Sequence, residues 1–331
     1  PFLGGDASNQ ASLAASLVYT DAFARDALFS DPTIFGAHIS TLHIHMVKAL
    51  GAIFGDFGTG YLSILAPGTF LQLLAFYFLG KYLTKSQYAG IALALISIGK
   101  IELTYDYWGI ITDFHPRILY QAILPFIILS FMIFGPTPRK WPLLMAAHGL
   151  LVYVHPPSAP PVALAMLLAL IVYRTSDQSL GYLIQQALIA GLSFLLVCAP
   201  FVYNFITVRD LGDPASYRSV VEAFAGSWDS VTLDAFGFFG AMFEHWVPRY
   251  VLVGWALFGS FVLIINEKHR HSDFLFIVTS MFLIGAISTL LPWLEQIISQ
   301  RLDRPPALSQ MVRAIRIIAP FMLILSVWGT Y

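Results

Sequence analysis

Residues 118–134 read ILYQAILPFIILSFMIF, and residues 135–141 that follow read GPTPRKW. The first stretch carries no formal charge and is close to the roughly 20 residues a helix needs to cross about 30 Å of hydrocarbon. Only a helix or a closed barrel satisfies its own backbone hydrogen bonds in lipid, so the run reads as a spanning helix. The second stretch breaks it with Gly135 and Pro136 and ends it on Arg139 and Lys140. Working outward, the same pattern recurs at Tyr61–Leu79, Gln87–Ile101, Leu183–Val208, Tyr250–Ile265, Phe274–Leu291 and Ala314–Trp328. Two shorter apolar runs, Pro142–Val154 and Val162–Tyr173, flank His155-Pro156-Pro157-Ser158-Ala159-Pro160-Pro161. They form either two further crossings or one re-entrant hairpin, and both choices leave the later topology unchanged.

Composition agrees. The 331 residues are 57% hydrophobic and 11% charged, with mean hydropathy +0.73, against about 25% charge in soluble domains. Disorder and a coiled coil are excluded. So is nucleic-acid binding, since 18 Lys+Arg against 19 Asp+Glu leave a net charge of -1 and no basic tract. The single cysteine, Cys198, lies in an apolar run and forbids an internal disulfide. The expected fold is therefore all-α, a polytopic transmembrane helix bundle over residues 1–331.

Nine spans numbered from Tyr61 place residues 80–88, 135–141, 174–181 and 266–273 on one side, and these turns hold 7 of the 18 basic side chains. Positive-inside bias assigns them to the cytoplasm. The other face then receives residues 1–60, 102–117, the HPPSAPP turn, a large loop at 209–249 and residues 292–313. The alternation also predicts a first helix ahead of Pro1. No internal repeat is visible, and the long, aromatic loops of one face against short turns on the other suit an enzyme working at the outer surface.

The first outer segment holds Asp6, Asp21, Asp26 and Asp31. Ala11 to Phe29 can form a helix with Leu13, Leu17, Ala24 and Leu28 on one side. From His38 to Phe54, Ile39, Leu42, Met46, Leu50 and Ile53 recur at three-to-four spacing opposite His38, His45 and Lys48, which predicts a helix lying in the interface. Asp6 stands in Gly4-Gly5-Asp6. Glu102 and Asp106 are four apart and share a face if the second visible helix continues through them. Three such carboxylates meeting in a cleft can hold Mg²⁺ or Mn²⁺, or one can serve as general base; equally, they can simply solvate an outward loop. His38 and His45 can face together, but a zinc site lacks its third ligand locally.

His115-Pro116-Arg117 opens a helix, and His155-Pro156 ends a shorter run on the same side. Each is a helix-end hydrogen-bonding group or a contact to a phosphate or sugar hydroxyl. Arg301, Arg304, Arg313 and Arg316 form the largest basic group, on the face where positive charge is disfavoured. They suit a lipid-linked phosphate at headgroup level, or pairing with Glu295, Asp303 or anionic lipid.

Taken together, Gly5-Asp6-Ala7-Ser8-Asn9-Gln10, Arg25-Asp26-Ala27-Leu28-Phe29-Ser30-Asp31-Pro32, the amphipathic segment 38–54, Phe114-His115-Pro116-Arg117, His155-Pro156 and Arg313-Ala314-Ile315-Arg316 resemble the GT-C-type membrane glycosyltransferases and uncharacterised bacterial multispanning relatives. The resemblance implies a GT-C-like bundle in the bacterial inner membrane that transfers sugar from a polyprenyl-phosphate donor to a glycan or lipid acceptor of the cell envelope. It puts a base or metal ligand at Asp6 and a second acidic position at Glu102 or Asp106. His115, Arg117, His155, Arg304, Arg313 and Arg316 would bind substrate. Unlike the strongest family members, residues 1–60 contain no adjacent pair of acids. A transporter or flippase of a lipid-linked intermediate, and a non-catalytic membrane protein, are the alternative readings.

Overall fold

The computed structural model describes residues 5–26, 41–99, 101–102, 107–108, 115–172, 178–208, 250–265, 271–301 and 309–331. Within them the fold is helical apart from one two-stranded hairpin. Helices are α1 (Gly5–Ser16), α2 (Leu42–Phe54), α3 (Phe57–Ser63), α4 (Leu65–Thr84), α5 (Gln87–Ser97), α6 (Pro116–Phe134), α7 (Trp141–Gly149), α8 (Ala159–Val172), α9 (Leu180–Val208), α10 (Tyr250–Ile265), α11 (His271–Arg301) and α12 (Ile318–Thr330). Strands β1 (Ile101–Glu102) and β2 (Tyr107–Trp108) pair antiparallel, with Glu102 opposite Tyr107. Among the described residues four stretches are long and apolar enough to cross a membrane: Phe57–Thr84, Pro116–Phe134, Leu180–Asn204 and Ser272–Glu295. Large apolar side chains on α9 and α10, such as Leu188, Leu196, Leu257 and Phe261, are exposed, as a lipid-facing surface requires. This is a multi-pass membrane bundle.

Several boundaries differ from the sequence reading. α1 starts at Gly5 and stops at Ser16, whose hydroxyl donates to the Leu13 carbonyl at 2.8 Å; a short 3-10 helix, Thr20–Phe23, follows in place of a continuous helix from Ala11. α2 spans 13 residues, about 20 Å at 1.5 Å per residue, too short to cross. It buries His43, Ile44, Val47 and Gly51 against α1 and α3. Of the apolar stripe expected to face the membrane interface, Leu42 and Ile53 are exposed on the outside of the bundle. A left-handed Gly55 (φ 68°) ends α2. Asp56 then caps α3 by accepting from the backbone N–H groups of Gly58 and Thr59, at 3.2 and 2.9 Å. That bonding, led by the Thr59 hydroxyl, holds the Asp56 carboxyl below its usual range.

The hairpin of α4 and α5 is closed at backbone level. A Cβ on Gly80 would lie 3.0 Å from the Gly90 Cα, and one on Gly90 would lie 2.8 Å from the Tyr77 carbonyl oxygen. α5 ends at Ser97, not Ile101, and the Gln72 side-chain amide in mid-α4 donates to the Ser97 carbonyl at 2.7 Å, satisfying one of the acceptors left open at that end. α7 has nine residues and α8 fourteen, about 14 and 21 Å, so neither reaches across alone. They pack instead on α9 and α11, and α8 is buried except along the stripe Leu164, Leu168 and Val172.

α4 and α6 run side by side in the same direction. Tyr61, just ahead of α4, meets His115 at one end, and Phe78 meets Phe126 further along, with ring centroids 6.4 Å apart. The other end therefore gathers Lys81, Lys85, Arg139 and Lys140, whose ammonium groups lie over Tyr77, Tyr82 and Phe134 rings in three cases. α11 begins at this basic end, since Phe276 stacks on Phe131 at 6.3 Å. With 31 residues it extends about 46 Å toward the opposite end, and the chain returns through a 3-10 helix, Ser309–Ile317, that packs on α11. α10 and α12 touch through Gly259 and Gly329, where an added Cβ would collide with the facing backbone.

Candidate functional site

The end opposite the basic turns carries the chemistry, and α6 organises it. Pro116 fixes the first helical turn, and the carbonyl of His115 accepts from Ile118 and Leu119 at 2.8 and 3.2 Å. This leaves the imidazole to reach sideways, where its Nδ1 lies 3.4 Å from the Tyr61 hydroxyl. The Tyr61 ring in turn meets the buried His43 ring edge-on, centroids 5.5 Å apart. One and a half turns further along α6, the Tyr120 hydroxyl lies 3.2 Å from His148 Nε2, with both side chains fully buried. His155, in the turn leading to α8, has its ring 6.1 Å from that of Tyr120. Phe131 and Phe194 close over His148. Four histidines and two tyrosines from α2, α3, α6, α7 and the α8 turn thus surround the first half of α6.

The expected site residues divide. His115, Arg117 and His155 come to this one end, Arg117 two residues past the His115 cap. Asp6 lies in the first turn of α1, which packs on α2 and α3 and so belongs to the same end; its side chain is outside the described residues. Glu102 sits on β1, and α5 has already stopped at Ser97. The shared helical face proposed for Glu102 and Asp106 therefore does not form by continuation of that helix; Asp106 itself lies outside the described residues. Arg313 and Arg316 fall in the 3-10 helix, where residues three apart stack on one edge. Arg316 is 4% exposed, enclosed by protein rather than spread into headgroups, while the side chain of Arg313 lies outside the described residues, as does Arg304 entirely. The loop 209–249 and His38 are also outside them, and His45 is exposed.

Sequence reasoning missed His43, Tyr61, Tyr120 and His148. His43 lies two residues from the exposed His45, and that offset turns it inward. Tyr120 and His148 sit inside runs read only for hydrophobicity. A polar ring in the middle of an apolar span was itself the signal, because burying it in lipid without a partner is costly.

Among the described residues no group of three or more His, Cys, Asp or Glu side chains is placed to hold a metal ion. The carboxylates expected to do so, Asp6, Glu102 and Asp106, have side chains outside that set. No family model, no curated protein and no solved structure matches the chain. Fold and site together define a multi-pass membrane protein with a buried histidine and tyrosine cluster at one end.

Proposed function

We propose that this chain is a GT-C-type glycosyltransferase of the bacterial inner membrane that moves a sugar from a polyprenyl-phosphate donor to an envelope glycan or lipid acceptor at the outer face. What supports the reading is that His115, Arg117 and His155 all lie at the end of the bundle remote from Lys81, Lys85, Arg139 and Lys140, His115 against Tyr61 and His155 against Tyr120. A one-sided polar site beside lipid-facing helices suits a substrate whose chain stays in the bilayer and whose head reacts at its surface. The motifs around Asp6 and Arg313-Ala314-Ile315-Arg316 supply the family part of the argument.

In the proposed reaction the acceptor hydroxyl oxygen attacks the anomeric carbon as the bond from that carbon to the phosphate oxygen breaks. The hydroxyl proton passes to the Asp6 carboxylate, or to Glu102, and the donor leaves as polyprenyl phosphate. Arg117 and Arg316 offset the charge that grows on the departing phosphate. Mg²⁺ or Mn²⁺, held by Asp6, Glu102 and Asp106, would supply further positive charge to offset the departing phosphate. The test is Asp6→Asn in purified protein supplied with a labelled polyprenyl-phosphate hexose. Loss of a general base lowers transfer by roughly 10²–10⁴-fold. Equal transfer by the variant and the wild type removes Asp6 from the chemistry, and accumulation of intact donor on the far leaflet, with no sugar transferred, replaces the reading with transport.

A further inference from the structure

The end of the bundle opposite His115 and His155 gathers four cations without carboxylates in the same turns to match them. Lys81 and Lys85 close α4, and Arg139 and Lys140 lie in the short 3-10 helix, Pro138–Lys140, that follows α6. All four side chains are exposed. Residues 80–88 and 135–141 contain no Asp or Glu, and Asp273, the carboxylate α11 brings to this end, is buried. Three of the cations rest against rings: Lys81 Nζ lies 5.9 Å from the Tyr77 centroid, Lys85 Nζ 4.8 Å from that of Tyr82 and Lys140 Nζ 4.5 Å from that of Phe134.

Two features set these residues apart from ordinary turn lysines. Among the described residues Lys85 is the one non-glycine with positive φ, 61°. Glycine is the usual occupant of that left-handed position after a helix, so a lysine there keeps its ammonium in place at a conformational cost. Beneath the cations, the seam where α4 meets α6 through Phe78 and Phe126 is open to lipid: Phe78 is 42%, Ile133 46% and Phe134 39% exposed. An apolar wall under unmatched cations is complementary to a molecule with a negative headgroup and a hydrocarbon tail. We propose that this end of α4 and α6 binds an anionic diacyl phospholipid. Its phosphate lies among Lys81, Lys85, Arg139 and Lys140, and an acyl chain runs along Phe78, Ile133 and Phe134. Basic groups between membrane helices take anionic headgroups in this way, whereas a soluble anion would leave the apolar wall uncovered. The site is remote from the proposed transfer chemistry and does not depend on it.

The purified full chain in an uncharged maltoside detergent is titrated with phosphatidylglycerol, phosphatidylcholine and glycerol 3-phosphate, and bound lipid is counted by native mass spectrometry. Phosphatidylglycerol is expected to bind in preference to phosphatidylcholine, and glycerol 3-phosphate is expected not to displace it. Each of Lys81→Gln, Lys85→Gly, Arg139→Gln and Lys140→Gln should weaken phosphatidylglycerol binding roughly fivefold, and the quadruple variant should lose the preference. Lys85→Gly is the most telling of these, because glycine suits the left-handed backbone. Its melting temperature should equal or exceed that of wild type, which separates lost lipid from lost fold. Lys48→Gln, on α2 at the other end, is the control and should bind as wild type does. Equal binding of phosphatidylcholine, displacement by glycerol 3-phosphate at the same concentration as the lipid, a preference retained by the quadruple variant, or an equal loss in Lys48→Gln overturns the proposal.

Discussion

Tyr120→Phe removes one oxygen from the centre of the site and nothing else. The lost atom is 3.2 Å from His148 Nε2, and both rings are inaccessible to solvent, so no water replaces it without rearrangement. A satisfied hydrogen bond contributes about 0.5–1.5 kcal/mol net, whereas a buried group left unpaired costs about 1–3 kcal/mol. Side-chain bonds between membrane helices average only about 0.6 kcal/mol in double-mutant cycles, with a maximum near 1.7. The expected loss for Tyr120→Phe is therefore about 1–2 kcal/mol, near the top of that range, because His148 keeps its second nitrogen unpaired as well. His148→Leu removes the stranded partner. The double variant is then expected to be less destabilised than the sum of the singles, with a coupling of about 1 kcal/mol. Reversible unfolding of the purified protein in mixed detergent, followed by helical circular dichroism, measures all three. Additivity within about 0.3 kcal/mol would show that the hydroxyl and the imidazole do not act on each other.

Gly259→Leu should separate α10 from α12 and cost at least about 1–3 kcal/mol by overpacking, read as a lower melting temperature. Gly254→Ala, where an added Cβ meets nothing within 4 Å, is the control and should be neutral or stabilising. The Asp56 carboxyl is depressed below its ordinary value of 3.8, so its contribution to α3 is fully present above that value and is lost as pH falls through the folded pKa. Asp56→Ala should then raise hydrogen exchange in α3 at neutral pH, and the difference from wild type should vanish under strongly acidic conditions; a difference that persists there would mean the cap acts through shape alone. Because the only cysteine, Cys198, is buried, single cysteines at Lys85, Arg139 and His45 can be labelled cleanly. In intact cells an impermeant thiol reagent should spare the first two and modify the third, and the opposite pattern would invert the sidedness.

The resemblance of α1 to an outer-loop acid motif placed Asp6 without locating its neighbours, since nothing local in Gly5-Asp6-Ala7 reports that α1 rests on α2 and α3. The second half of the carboxylate argument depended on α5 continuing to Asp106. The helix instead ends at Ser97, whose carbonyl accepts from Gln72, 25 residues away in sequence. Likewise the face of α2 that turns inward is set by Tyr61 and Gly60 of α3 rather than by its own apolar stripe. Gly51 and Gly60 meet there at backbone distance, with a Cβ on Gly60 falling 2.8 Å from the Gly51 Cα.

By itself the sequence determined that this chain lives in a bilayer, and where most of its helices lie, because charge depletion and uninterrupted apolar length are local quantities that lipid reads directly. It also predicted that basic turns gather on one side, and among the described residues Lys81, Lys85, Arg139 and Lys140 do share one end. Only the tertiary structure decided which polar residues share a site. His43 with Tyr61, His115 with Tyr61, and Tyr120 with His148 are pairs separated by 18 to 54 residues. In a hydrocarbon interior a buried polar side chain is tolerated only if another helix brings it a partner, and that depends on rotation and register between helices, which no single segment encodes.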